Sequence, residues 1–289
     1  MSFFTGKGGV GKSTLSSLYA LAQAKRGGQV LLISMDPAHN LGDIFQRELG
    51  EEEVRCADGL LVCEPDIREW SKRYIHDIEE QVRASYRYLT ALNLDGYFSV
   101  LRHSPGLEEY AMTLIFRTLL ERHSGLDALV FDMPPTALTL RFLASPSISR
   151  IWLEQLIALR RAMLERKEMI TTVTLGRRVI ETDRIVRRLE VERETAHSAE
   201  ALFRDKRTTF FVVRNPDTLS AKEAKRIQGE MAALDLSPVH LLLNKMEADA
   251  AGSPAAAEAF AVFPYSPAEL CGLPALEKYL TSISSNFGE

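Results

Sequence analysis

The chain has 289 residues, 46% hydrophobic and 26% charged, with a net charge of -4. This composition suits a globular protein with a substantial core and gives no global pull toward nucleic acid or anionic lipid. No apolar run reaches the roughly 18 residues of a membrane span, and Met1-Ser2-Phe3-Phe4 leads straight into a glycine loop, so we expect no membrane insertion, no signal peptide and a cytoplasmic protein.

Ser2-Phe3-Phe4 reads as a truncated first strand, and Leu15 to Arg26 as a helix. Between them, Gly6-Lys7-Gly8-Gly9-Val10-Gly11-Lys12-Ser13-Thr14 contains the pattern G-x-x-x-x-G-K-[ST]. A strand before and a helix after are the context that makes this a phosphate-binding loop. Backbone N–H groups freed by the glycines, with the positive end of the following helix, would cradle the phosphates of ATP or ADP. Lys12 is expected on the β- and γ-phosphates and the Ser13 hydroxyl on Mg²⁺. Lys7 is a second cation with no obvious phosphate in its own subunit.

Val30 to Ser34 is the next strand, followed by Met35-Asp36-Pro37-Ala38-His39-Asn40. A carboxylate at a strand's C-terminal end beside the phosphate loop is placed to polarise an attacking water. Leu60 to Cys63 is a weaker strand, and Ala128-Leu129-Val130-Phe131-Asp132 a strong one ending in a second carboxylate. Thr209 to Val213 and Val239 to Leu243 are further strands, with a helix over Ala221 to Leu234 between them. Ala248 to Ala259 reads as a loop opening into a short helix. Continuous apolar strands imply a sheet covered on both faces, and alternation with helices implies a doubly wound, mainly parallel α/β fold. We read residues 1–289 as one such domain.

Two segments, about 67–122 and 147–207, are too long for a single crossover helix and read as helical insertions forming a subdomain. In the second, Leu153, Leu156, Ile157 and Leu164 recur at helical spacing. Its Arg177-Arg178, Arg184 and Arg187-Arg188 alternate with Glu181, Asp183, Glu190 and Glu192, the pattern of a solvated helix face rather than of a nucleic-acid surface. Cys56, Cys63 and Cys271 are irregularly spaced, which suggests neither a disulfide framework nor a zinc site.

The loop G-K-G-G-V-G-K-S resembles the deviant Walker A loop of the MinD/ParA, nitrogenase iron-protein and arsenite-pump ATPases. In those families the early lysine acts across the two-fold axis of an ATP-closed homodimer, the role the resemblance implies for Lys7. "DPAHNLGDIF" from Asp36 resembles switch I of the arsenite-pump and tail-anchored-protein targeting ATPase family. By that resemblance Asp36 positions the attacking water and lies near Mg²⁺, while Asn40 senses the nucleotide state. "SPGLEEYAMTLIFRTLL" from Ser104 and "LVFDMPPTALTLRFL" from Leu129 resemble further segments of the family in order, the second being switch II with Asp132 on the Mg²⁺ shell. "LLLNK" places Asn244 and Lys245 where the family binds adenine, and "FPYSPAELCGLPAL" resembles its terminal loop over the base, with Pro264 and Ser266 as expected contacts.

Met133, Ala137 and Leu138 replace the family's usual Thr, Gly and His in switch II, a change that would permit weak hydrolysis in a regulatory paralogue. The cysteines do not form the family's metalloid site, and trivalent arsenic requires soft thiolates. The family's C-x2-C clasp is absent, and the second insertion contributes only Met163 and Met169 to any methionine-rich groove. The implied function is an Mg²⁺-dependent ATPase switching a homodimer, with a hydrophobic helix or other protein client. A MinD-like positioning switch and an anion-pump subunit are alternatives. The tail "LEKYLTSISSNFGE" lacks the basic amphipathic face of the former.

Overall fold

The computed structural model describes residues 1–85, 100–102, 104–170, 183–247 and 254–283. Parts of both expected insertions, Arg177-Arg178, the side chain of Met169, residues 248–253 and the tail from 284 lie outside the described residues. The chain forms two compact units, Met1–Phe142 with Lys206–Glu289, and Leu143–Asp205.

The first unit is built on an eight-stranded sheet. In chain order the strands are β1 (Ser2–Gly6), β2 (Val30–Ser34), β3 (Val54–Ala57), β4 (Leu60–Cys63), β5 (Ala128–Asp132), β6 (Thr209–Arg214), β7 (Val239–Met246) and β8 (Ala261–Pro264). Across the sheet they run β3-β4-β2-β5-β1-β6-β7-β8. All neighbours are parallel except β3 and β4, an antiparallel hairpin. The mainly parallel, doubly wound fold is as the sequence implies. β3 and β8 were not anticipated. Each has four residues at a sheet edge, and β3 is mostly not buried, so neither carries the continuous apolar run of an inner strand.

Helices α1 (Lys12–Lys25), α2 (Asn40–Phe45), α3 (Ile67–Ser85) and α4 (Leu107–Arg122) precede and follow the strands of the first half. α5 (Thr136–Ile170) begins in this unit, and α7 (Thr218–Ala233), α8 (Pro254–Ala257) and α9 (Leu273–Ser282) complete it.

Consecutive residues of β1 point to opposite faces of the sheet, and both faces are packed. On one, Phe3 stacks between Phe131 at 4.8 Å and Phe210 at 5.3 Å, and Phe116 of α4 covers them. On the other, Phe4 stacks on Phe211 at 4.7 Å under Tyr19 of α1. Burying each such ring is worth about 1.5–3 kcal/mol, so β1 is pinned from both sides and its C-terminal end is a rigid base for the loop that follows.

The second unit contains the remainder of α5 and α6 (Arg184–Phe203). Asp183 caps α6 by accepting from the Ile185 and Val186 amides, and takes the Arg160 guanidinium at 2.9 Å. Near the other end, buried Glu200 accepts from Ser147 at 3.0 Å, Arg150 at 2.9 Å and Arg204 at 2.7 Å, fastening α6 to α5.

Candidate functional site

The phosphate loop leaves β1 at Gly6 and enters α1 at Lys12. Gly6 has φ +149°, and a Cβ there would lie 2.3 Å from the Val213 carbonyl oxygen of the neighbouring strand. Gly11 has φ +92°, and a Cβ would fall 2.3 Å from Nδ2 of Asn244. Both positions therefore exclude a side chain through conformation and through space. α1 has no side-chain cap and no acidic residue in its first turn, which leaves its N-terminal amides and the positive end of its dipole for an anion.

Asn244 and Lys245, at the end of β7, reach this loop directly. Asn244 Nδ2 donates to the Val10 carbonyl at 2.8 Å, and Lys245 Nζ to that of Gly9 at 3.0 Å. Lys245 holds a positive φ of 56°, an uncommon conformation for a side-chain-bearing residue. Two of the loop's carbonyls are thereby engaged from β7.

Lys12 is buried, with Nζ 4.0 Å from Oδ2 of Asp36. Asp36 is itself held by an Asx turn, Oδ1 accepting from the Ala38 amide at 3.0 Å, while its own amide donates to Ser34 Oγ at 3.3 Å. Asp132 ends β5 in register with Ser34 of β2 and Phe4 of β1, so both carboxylates leave the same end of adjacent strands. Asp132 is fully buried, and its carboxylate makes no well-formed hydrogen bond to the described residues. Burial pushes its pKa up to about 7, against the opposing pull of the nearby Ser13 hydroxyl and the Lys12 charge.

A buried carboxylate without a partner, beside a hydroxyl and a second carboxylate, is the oxygen-donor set that Mg²⁺ takes. Among the described residues no cluster of three or more His, Cys, Asp and Glu side chains could hold a metal by itself. Mg²⁺ is ordinarily held by one or two carboxylates together with substrate phosphates and water, so Ser13, Asp36 and Asp132 fit it. The thiols do not compete for this role. Cys56 and Cys63 are buried, and burial pushes both pKa values up, that of Cys63 strongly.

The structure thus brings Gly6 to Thr14, Asp36, Asp132, Asn244 and Lys245 together. Lys7 is half-buried and forms no ion pair with the described residues. Asn40 opens α2, and Pro264 ends β8 with its carbonyl accepting from Tyr279 at 2.6 Å. Ser266 closes a turn onto the Ala268 carbonyl at 2.8 Å. Sequence reasoning missed Glu64, the residue directly after β4, although a carboxylate following an apolar strand was the available signal. Its oxygens accept from the Leu41 amide at 2.7 Å and the Gly42 amide at 3.3 Å.

A glycine loop between a buried strand and a helix, with two strand-end carboxylates beside it, defines a P-loop ATPase. Residues 1–261 match the family described as anion-transporting ATPase, and the chain belongs to that family. It is 31% identical over 245 residues to the "putative arsenical pump-driving ATPase 2" of Aquifex aeolicus, a match covering 84% of this chain and 79% of that one. It is 29% identical over 246 residues to "ATPase GET3A" of Arabidopsis thaliana, covering 84% of this chain and 66% of the relative. Against the "putative arsenical pump-driving ATPase 1" of Aquifex aeolicus the identity is 29%, and the match spans 57% of that protein. The chain is an ATP hydrolase of this family. No described helix is long and apolar enough to cross a membrane.

Proposed function

We propose that this ATPase is Mg²⁺-dependent, works as a nucleotide-switched homodimer, and grips a hydrophobic protein helix on α5. The observation that carries the client reading is a stripe on α5. Ile148, Ile151, Trp152, Leu159 and Met163 all face solvent, Trp152 at 65% exposure, and their spacing follows one side of a helix. An apolar row of that length left uncovered marks an interaction surface. The pump reading lacks its chemistry, since Cys56 and Cys63 are buried and the described residues hold no group of three or more His, Cys, Asp and Glu side chains that could take a metal ion.

In the site, the loop amides and Lys12 hold the phosphates, and Asp36 orients the water that attacks the γ-phosphate. Mg²⁺, when bound, supplies positive charge to the β- and γ-phosphate oxygens. Ser13, Asp36 and Asp132 would hold it. Lys7 reaches the partner's phosphates across the dimer axis. Asn244, its amide committed to the loop, offers its carbonyl oxygen to the amine of adenine, with Lys245, Pro264 and Ser266 around the base. Release of γ-phosphate relaxes the Asp36–Asn40 segment and so the dimer.

Titration with a synthetic apolar helix of about 20 residues, the length of a membrane span, tests the client assignment. Binding should shift Trp152 fluorescence and should be lost in the double variant Ile151→Asp, Leu159→Asp. Equal binding by that variant, or none by the wild type, would overturn it.

A further inference from the structure

Glu64 is buried, with 6% of its surface exposed, and lies outside every role described above. Its two partners are the amides of Leu41 and Gly42, in the first turn of α2. A helix ordinarily satisfies these amides with the side chain of its own cap residue. Here His39 occupies the cap position and makes no such bond. A residue just past β4, 23 positions further along than Leu41, does it instead.

With only six residues, α2 is too short to hold its own shape, so its position is set by what grips it. Its own Leu41, Ile44 and Phe45 are buried. At its far end the Ile44 carbonyl accepts from the Gly272 amide at 2.7 Å. At its near end Glu64 is the grip; Asn40 is the first residue there, and the backbone immediately before the helix carries Asp36. We propose that Glu64 is a positioning residue for hydrolysis: by clamping the Leu41 and Gly42 amides it fixes the end of the Asp36–Asn40 segment, and with it the carboxylate that orients water.

This inference rests on the assignment of Asp36 to the attacking water. Burial raises the Glu64 pKa, while the two amides and His39 lower it and Asp43 opposes them. The carboxylate is thus kept in place at a desolvation cost that an apolar residue would avoid.

The variant Glu64→Gln keeps shape and one acceptor but turns an N–H toward an amide that needs an acceptor. Hydrogen exchange of the nucleotide-free protein, read on peptides covering residues 39–46, should then accelerate about tenfold while peptides of β1 and β5 stay unchanged. kcat for ATP should fall about tenfold with KM within twofold, as expected for losing one charge-assisted bond that acts on the chemical step. Unchanged exchange, unchanged kcat, or equal loss of kcat and ATP affinity would overturn the proposal. If the variant does not fold, the wild type decides. Its Leu41 amide should exchange at least a hundredfold slower than in an unstructured peptide, and exchange at the free rate would sink the clamp. Asp36→Asn, measured alongside, separates the two readings. Full hydrolysis in that variant condemns the assignment of Asp36, whatever the exchange data on Glu64 show.

Discussion

Asn244 donates its side-chain amide to the carbonyl of Val10, a residue 234 positions away, in a buried bond of 2.8 Å. This bond ties the end of β7 to the phosphate loop, so the loop is held from a strand that is not its own neighbour.

Removing that donor strands a buried carbonyl, which costs about 1–3 kcal/mol. Asn244→Ala should therefore weaken ATP binding roughly tenfold, 1.4 kcal/mol being one decade. Asn244→Asp should be worse, because a carboxylate cannot donate and would face a carbonyl oxygen. Equilibrium titration with a fluorescent ATP analogue checks both, and equal affinity in all three proteins would refute the anchor.

Asp132 makes stability depend on pH in a direction opposite to that of an ordinary paired carboxylate. Its pKa rises from 3.8 to about 7 on folding, so between those values the native protein holds a proton that the unfolded chain has released. Nucleotide-free protein should lose stability as pH rises through that window, the loss being complete above about pH 7. Asp132→Asn should flatten the curve and raise the melting temperature at pH 8 by at least about 2–4 °C, the effect of roughly 1 kcal/mol in a chain of this size. Calorimetry at pH 5, 6, 7 and 8 decides it, and parallel curves for the two proteins would contradict the prediction.

Asp36→Asn should bind ATP nearly as the wild type does while hydrolysing it about 10²–10⁴-fold more slowly, the range for a lost proton-handling group. Single-turnover kinetics beside a binding titration separates the two effects. A parallel loss in both would make Asp36 a structural partner of Lys12 rather than the group that orients water.

Lys7→Ala should retain ATP binding and lose hydrolysis, whereas Lys12→Ala should lose affinity outright. Mixing the two inactive proteins should restore part of the activity, since one site then has its own Lys12 and its partner's Lys7. Subunit exchange is verified first with two affinity tags. Complete exchange without recovered activity would show that Lys7 serves its own loop.

The inner strands were legible because each is a short apolar run with helices on both sides, and Asp132 was visible as the polar residue ending one of them. β3 and β8 were not, because an edge strand needs only one neighbour and little burial. The loop from Gly6 to Thr14 could be read from its glycines, whose need for positive φ and bare space the structure shows at Gly6 and Gly11. The Asn244 bond to Val10 could not. It depends on β7 lying two strands from β1, a pairing order that no local pattern encodes. Glu64 was passed over because one carboxylate at the end of a weak strand has no partner in sequence. The amides it holds become visible only when α2 is in place.

The stacking of Phe3 between Phe131 and Phe210 also governs how the chain comes to be made. β1 is synthesised first of these strands, yet it sits between β5 and β6, which begin at residues 128 and 209. Its backbone edges remain unpaired until both have left the ribosome, and the Asn244 anchor arrives later still. Contacts so distant in sequence close slowly, and a strand waiting with open edges is exposed to aggregation. The phosphate loop therefore becomes competent only after β6 and β7 have been made, so nucleotide is bound by a sheet already assembled around β1 and cannot act as a template for its early stages.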